Sequence, residues 1–340
     1  MRWPNEVHIK EVGPRDGLQN EKEWVSTDDK VKWIDMLSES GIKEIEYSAF
    51  VHPEWVPALK DAREVGKRIA RHPDVSYSAL VPNERGLEHA LEAGIDTASV
   101  FMSASETHNK KNINKSISDT YPVLEKVIQG AKKEQKRVTG YISTVFECPY
   151  EGKINKDDVI RVADRLFELG VDELSLGDTI GTAVPSQVEE LLEDVVYRFP
   201  NKDIIMHFHD TRGMAIANII TSMRCGIRRF DSSLGGLGGC PYAPGAAGNV
   251  ATNDLLYLLN GLGIRTGADE DKLQEAALFI QDKLSKKLPS RSLSYLSGQS
   301  PKKITENVQA DNEKIIEAPP RKREIIYFFL KNQYDKLRNK

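Results

Sequence analysis

Eight short runs rich in β-branched and aromatic residues recur along the chain, each followed by a longer segment with helical periodicity. No other feature constrains the fold as tightly. The runs are VHIKEVG (7–13), EIEYSAF (44–50), VSYSALV (75–81), TASVFMSA (97–104), RVTGYISTVF (137–146), DELSLGD (172–178), DIIMHFHD (203–210) and RFDSSLGG (229–236). Helices are expected near 28–40, 54–71, 84–93, 119–135, 157–169, 185–198, 213–225 and 249–262. Ser26-Thr27-Asp28 can cap the first and Gly41 follows its end, while Gly94, Gly170 and Gly226 sit just past three others. Strands alternating with helices indicate a parallel sheet, and eight such units predict a closed (β/α)8 TIM barrel of the α/β class. The alternative, a doubly wound open sheet, normally has fewer strands and a single switch-point crevice.

The placement of unusual residues supports the barrel. Arg15-Asp16 follows the first strand, Glu46 lies on the second, Asp178 ends the sixth, His207 and His209 end the seventh, and Cys240 follows the eighth. A barrel brings all of these to its carboxyl-end rim, where barrel enzymes do their chemistry. After Gly263 a charged amphipathic helix near 269–287 is expected to pack on the barrel, giving a barrel domain over 1–287 and a charged C-terminal extension over 288–340. From Pro301 onward ten Lys+Arg face six Asp+Glu, including PPRKRE (319–324) before IIYFFL (325–330). This stretch reads as a linker and short helix packing on its own subunit or a dimer mate, with docking on a partner as the other reading.

Composition narrows the function classes. With 39% hydrophobic and 29% charged residues and a net charge of −4, the chain has the make-up of a soluble globular protein and no basic bias toward nucleic acid. No apolar run approaches a membrane span, and the start MRWPNEVHIKEVG resembles neither a signal nor a transit peptide. Three cysteines, Cys148, Cys225 and Cys240, make no disulfide framework, so a cytoplasmic location with reduced thiols is expected.

Three segments carry the chemistry. In His207-Phe208-His209-Asp210, residues i and i+2 of a strand share a face, so both imidazoles can reach one metal ion. In VGPRDGLQNE (12–21), Gly13-Pro14 breaks the strand and presents Asp16 as a third ligand beside Arg15, whose permanent charge can stabilise a developing oxyanion. Imidazoles, a carboxylate and neutral oxygens suit Mg²⁺ or Mn²⁺, although spacing does not separate these from Zn²⁺ or Fe²⁺. The third segment, LGGLGGCPYAPGAAGN (234–249), is a glycine-rich loop able to open and close with Cys240 at its middle; it lacks a P-loop ending. On that loop Cys240 can serve as a catalytic acid or base, whereas Cys225 inside a helix reads as inert. Asn249 can cap the last helix or offer its amide oxygen to the metal. Glu46 and Asp178 are strand-end carboxylates suited to acid/base work or to supporting Arg15 and the metal.

A metal beside an arginine, a carboxylate and a thiol suits making or breaking a carbon–carbon bond next to a carbonyl. The motifs VGPRDGLQNE, KKNIN (110–114), CPYEGKI (148–154), SLGDTIG, HFHDTRG and GLGGCPYAPGAAGN resemble the hydroxymethylglutaryl-CoA lyase family, in order from about residue 7 to 285. The resemblance implies a metal-dependent barrel lyase, a homodimer, that cleaves 3-hydroxy-3-methylglutaryl-CoA to acetyl-CoA and acetoacetate, the chemistry of leucine degradation and ketone-body formation. It implies Asp16, His207, His209 and Asn249 as ligands of Mg²⁺ or Mn²⁺. Arg15 would hold the thioester enolate, Glu46, His207 and Asp16 would move the hydroxyl proton, and Cys240 would protonate the enolate. The sequence departs from the family pattern at Tyr47-Ser48-Ala49, where a hydroxyl-rich run is usual, and at Thr139, where an arginine is expected two residues before Tyr141. Tyr47 should face away from Glu46, which leaves Ala49 and Thr139 as candidates for altered substrate fit. A lyase for another 3-hydroxyacyl-CoA such as citramalyl-CoA, and a Claisen synthase of the isopropylmalate synthase kind, stand as alternatives. The Cys240 loop and the lack of a long regulatory domain argue against the synthase. A metallohydrolase would carry its HxH on the first strand, and an inactive binding module would not need Arg15, Asp16, both histidines and Cys240 together.

Overall fold

The computed structural model describes residues 3–239 and 248–297. Its eight parallel strands close into a barrel. They are β1 (His8–Glu11), β2 (Glu44–Ala49), β3 (Ser76–Leu80), β4 (Thr97–Ser103), β5 (Arg137–Ser143), β6 (Glu173–Asp178), β7 (Asp203–Phe208) and β8 (Arg229–Ser232). Each strand neighbours the next in sequence, and β1 closes the ring on β8 with Lys10 opposite Asp231. The expected open-sheet alternative is thereby excluded. The described residues up to Ser290 form one compact unit, and the helix Arg291–Ser297 belongs to a second. Among the described residues no helix is long and apolar enough to cross a membrane.

The helices begin where the sequence supplies caps. Ser26, Asn83, Ser116 and Asn155 each accept a backbone N–H in the first turn of the helix that follows. Helix Lys156–Leu169 ends on Gly170 at φ 105°, the left-handed conformation a side chain disfavours. The single helix expected over 54–71 is instead a 3-10 turn, Pro57–Leu59, and a short helix, Ala62–Arg68; Asp61 between them makes no side-chain cap. A helix at Glu106–Ile113, capped by Ser105, and a small hairpin of Glu147–Cys148 with Gly152–Lys153 lie where the sequence reading placed none.

Two cores result. Between barrel and helices, Phe208 and Phe230 are buried, and the Tyr77 hydroxyl donates to Ser38 on helix Thr27–Glu39. The barrel interior is more polar than a purely structural core, with Lys10, Glu46, Tyr141, Ser175, His207 and Asp231 all buried. Buried ionisable groups are costly unless paired, so their concentration inside the barrel marks where chemistry is to be sought.

Candidate active site

Just past the first strand, the Val12 carbonyl accepts the N–H groups of Arg15, Asp16 and Gly17 at 3.1, 2.8 and 3.2 Å. This tight turn, Gly13–Gly17, aims Arg15 and Asp16 into the barrel mouth, where both are buried. A Cβ at Gly17 would sit 2.9 Å from both Leu237 Cβ and Ser233 Oγ, so the turn needs glycine there. Behind the turn lies Glu11. Its carboxylate accepts from Gly13 N–H (2.8 Å), Leu234 N–H (2.8 Å) and the Thr252 hydroxyl (2.6 Å), tying the turn to both flanks of the glycine-rich loop. Burial raises the Glu11 carboxyl to about 7 despite these three donors.

Asp16 is the hub. Oδ1 accepts from Arg15 Nη1 (2.6 Å) and Gln19 Nε2 (2.7 Å), and Oδ2 accepts from Asn249 Nδ2 (2.7 Å). His207 Nε2 and His209 Nε2 each lie 4.0 Å from Asp16 Oδ2. The ligand atoms of Asp16, His207 and His209 fall within 4.8 Å of one another, the scale of donors around one cation. Burial opposes charge on Asp16, but Arg15 and the two imidazoles overcome it and hold the carboxyl at about 2. Burial, with the neighbouring His207, depresses His209 to about 4, which keeps that imidazole neutral and able to donate a lone pair.

His207 is oriented from behind. Its Nδ1 lies 3.1 Å from Asp231 Oδ2, which also accepts from Ser175 Oγ at 2.7 Å. Burial acts to lower the His207 pKa, yet the bond to Asp231 and that residue's charge raise it overall. The sequence does not mark Asp231 as a site residue, because its signal is the β7–β8 register that places it opposite His207, and that register emerges only in the fold.

Asn249 resolves the choice left by its position. Helix Thr252–Gly261 starts after Ala251 and receives no side-chain cap, so Asn249 is not a helix cap. Residues around 249 instead run beside the end of β7: Val250 N–H donates to Phe208 O, and Asn249 bridges His209. The Asn249 amide nitrogen donates to Asp16 and to Leu237 O (3.2 Å), which leaves Oδ1 as a buried acceptor without a hydrogen-bond partner among the described residues. An orphaned oxygen beside two imidazoles and a carboxylate is the donor set a divalent metal ion takes.

The remaining candidates distribute around this centre. Arg15 Nε donates to Glu46 Oε2 at 2.5 Å, so one guanidinium bridges Glu46 and Asp16. The Tyr141 ring meets His207 edge-on at 6.4 Å, with Arg15 Cζ 5.4 Å from its centroid. Asp178 is committed to the backbone: its oxygens accept from Thr182 and Ala183 N–H, both at 3.1 Å, and burial raises it to about 6. A register shift between Glu46 and Ser48 makes Tyr47 the extra residue of a bulge and carries Ala49 back to the face of Glu46. Thr139 is not part of the cluster, because its hydroxyl donates to Glu173 Oε1 (2.7 Å) at the opposite, amino-terminal end of β6. Cys240 and the basic segment from Pro301 lie outside the described residues.

Comparison with known proteins agrees with this geometry. A family model described as HMGL-like matches residues 6–280. The chain is 56% identical over 293 residues to the hydroxymethylglutaryl-CoA lyase YngG of Bacillus subtilis, covering 86% of this chain and 98% of that one. It is 46% identical over 288 residues to the mitochondrial hydroxymethylglutaryl-CoA lyase of Macaca fascicularis, covering 85% and 89%. Among solved structures, an HMG-CoA lyase from Acinetobacter baumannii in complex with coenzyme A and 3-methylmalate superposes with a TM-score of 0.82 at 36% identity, covering 87% of this chain and 96% of that one. With a closed barrel, a two-histidine and carboxylate cluster at its mouth, and relatives matched over nearly their whole length, the chain belongs to the HMGL-like family of lyases.

Proposed function

We propose that this chain is a carbon–carbon lyase that cleaves 3-hydroxy-3-methylglutaryl-CoA to acetyl-CoA and acetoacetate with a bound Mg²⁺ or Mn²⁺. The observation that carries the reading is the buried Asp16–His207–His209 cluster with Arg15 hydrogen-bonded to Asp16. A divalent ion held by these three and Asn249 Oδ1 would supply Lewis acidity toward the substrate's hydroxyl and carbonyl oxygens.

The chain's own groups do the rest. Glu46, Asp16 and His207 form the polar network that takes up the proton of the 3-hydroxyl. The bond between C2 and C3 then breaks, C3 becomes the ketone of acetoacetate, and the electron pair passes to C2 and the thioester oxygen as an enolate. Arg15, fixed by Glu46 and Asp16 on two of its nitrogens, presents positive charge to that oxygen without having to reorganise. Cys240 delivers a proton to C2 to give acetyl-CoA, and the proton taken from the hydroxyl restores the thiol. Ala49, on the Glu46 face of β2, is the nearer of the two candidates for shaping the acyl group, and Thr139 acts at most through the barrel floor. Asp178 holds the β6 loop and Tyr141 packs beneath the centre. The reading extends to a cytoplasmic homodimer serving leucine degradation and ketone-body formation. It assigns residues 1–287 to the lyase domain and 288–340 to an extension.

A substrate panel tests it. With Mn²⁺ and a reductant, hydroxymethylglutaryl-CoA should release acetyl-CoA quickly, and a chelator should abolish the release. Turnover of citramalyl-CoA alone would reassign the acyl group and leave the chemistry standing. Full activity after metal removal would overturn the scheme.

A further inference from the structure

Lys10 is a buried charged group of the barrel that the mechanism above does not use. Lys10, on β1, is 3% exposed, and its Nζ is buried with no hydrogen-bond partner among the described residues. Lysine is almost never fully buried unless paired, because desolvating an ammonium costs several kcal/mol. What surrounds it is therefore informative. Its nearest carboxylate oxygen is Glu46 Oε1, at 3.9 Å, itself without a hydrogen-bond partner among the described residues. The other oxygen of that carboxylate belongs to Arg15. Lys10 Nζ also lies 5.1 Å from the Tyr141 ring centroid, on which Arg15 packs at 5.4 Å. In the β1–β8 register Lys10 is the partner of Asp231, the residue that orients His207. One ammonium thus sits beneath both carboxylates that back the site, Glu46 behind Arg15 and Asp231 behind His207.

Charge makes this arrangement paradoxical. A positive group under the ligand set repels a divalent cation and weakens its binding, yet it takes the most expensive kind of location a lysine can occupy. We propose that Lys10 is a positioning residue for the lyase reaction: it grips Glu46 so that the Arg15 guanidinium stays aimed at the substrate oxygen, at the expense of metal affinity. The inference rests on the function proposed above for what Arg15 faces, but its electrostatic half does not depend on the substrate. Without Lys10, Glu46 Oε1 has no cation, and Arg15 can follow the carboxylate away from the mouth. Of the metal ligands only Asp16 feels that movement, through its bond from Arg15.

Lys10→Met, nearly isosteric and uncharged, gives opposite signs in two assays. Calorimetric titration of metal-free protein with Mn²⁺ should show binding tighter by about threefold or more, whereas damage to the fold would loosen it. In turnover of hydroxymethylglutaryl-CoA, kcat should fall about 10- to 100-fold with KM little changed, the pattern of a contact made in the transition state. Lys10→Ala, which leaves space for a small amine, should regain part of the lost kcat with added ethylammonium. Unchanged or weaker Mn²⁺ binding overturns the proposal, as does near wild-type kcat in Lys10→Met. If the unaltered protein cleaves no 3-hydroxyacyl-CoA, the function reading fails, and the Mn²⁺ titration still decides whether Lys10 charges the site.

Discussion

Asp231 accepts from Ser175 and lies against His207 Nδ1, so that imidazole carries its proton toward Asp231 and presents its Nε2 lone pair toward Asp16. Asp231→Asn puts an amide in that place, which can donate to Nδ1 and favour the wrong tautomer. Mn²⁺ affinity measured by titration is expected to drop about 10- to 100-fold while the fold persists. His209→Ala should lose bound metal and lyase activity together. Cys240→Ser should keep its metal, by elemental analysis, and lose about 10² to 10⁴ in kcat, the scale of a positioned acid or base; near wild-type turnover would remove the thiol from the mechanism. At this scale the sequence was readable wherever the chemistry lay within one short segment. The HxH spacing and the RDG turn announce themselves through strand geometry alone. Asp231 did not, because a carboxylate in mid-strand gains its meaning from a neighbour on the adjacent strand. Asn249 offered two equal readings by spacing alone, with the resemblance favouring a ligand; the fold shows the chain around it lying along β7, away from a cap position.

The turn Gly13–Gly17 shows how one element sets several distances at once. It has no room for a side chain at Gly17, which faces Ser233 and Leu237 at the base of the glycine-rich loop. Gly17→Ala should therefore destabilise the protein by about 1–3 kcal/mol and weaken Mn²⁺ binding too, since Asp16 must move with the turn; thermal unfolding with and without Mn²⁺ would show both effects. The strands were legible to within a few residues because β-branched and aromatic runs mark them directly, even though strands buried on both faces show no alternation. The helix expected over 54–71 broke into two pieces where Pro57 and an uncapped Asp61 interrupt it. Helix Glu106–Ile113 escaped notice because its sequence, ETHNKKNI, has almost no apolar stripe and depends on the Ser105 cap. The bulge at Tyr47 was invisible for another reason: it exists as a mismatch between β2 and β3, not as a pattern in either.

Across the barrel, Glu11 joins the first strand to the segments that follow the eighth. Its carboxyl is raised from 4.5 to about 7 in the folded protein, so folding favours its protonated form. That contribution is fully present below pH 4.5 and is lost as pH rises through about 7. Glu11→Gln, which stays neutral, should therefore show a flatter dependence of stability on pH between these limits, seen as converging or diverging denaturant midpoints for the two proteins. Equal slopes would show that Glu11 titrates normally. The same seam has a consequence for how the protein is made. Asp16 leaves the ribosome with the first strand, while His207, His209, Asp231 and Asn249 follow only near the end of the barrel sequence, and β1 has no β8 to pair with until then. For most of its synthesis the nascent chain carries the first of the proposed metal ligands alone, so under that proposal loading with metal must wait for the ring to close. Captured Mn²⁺ would then serve as a clock for the final step of folding.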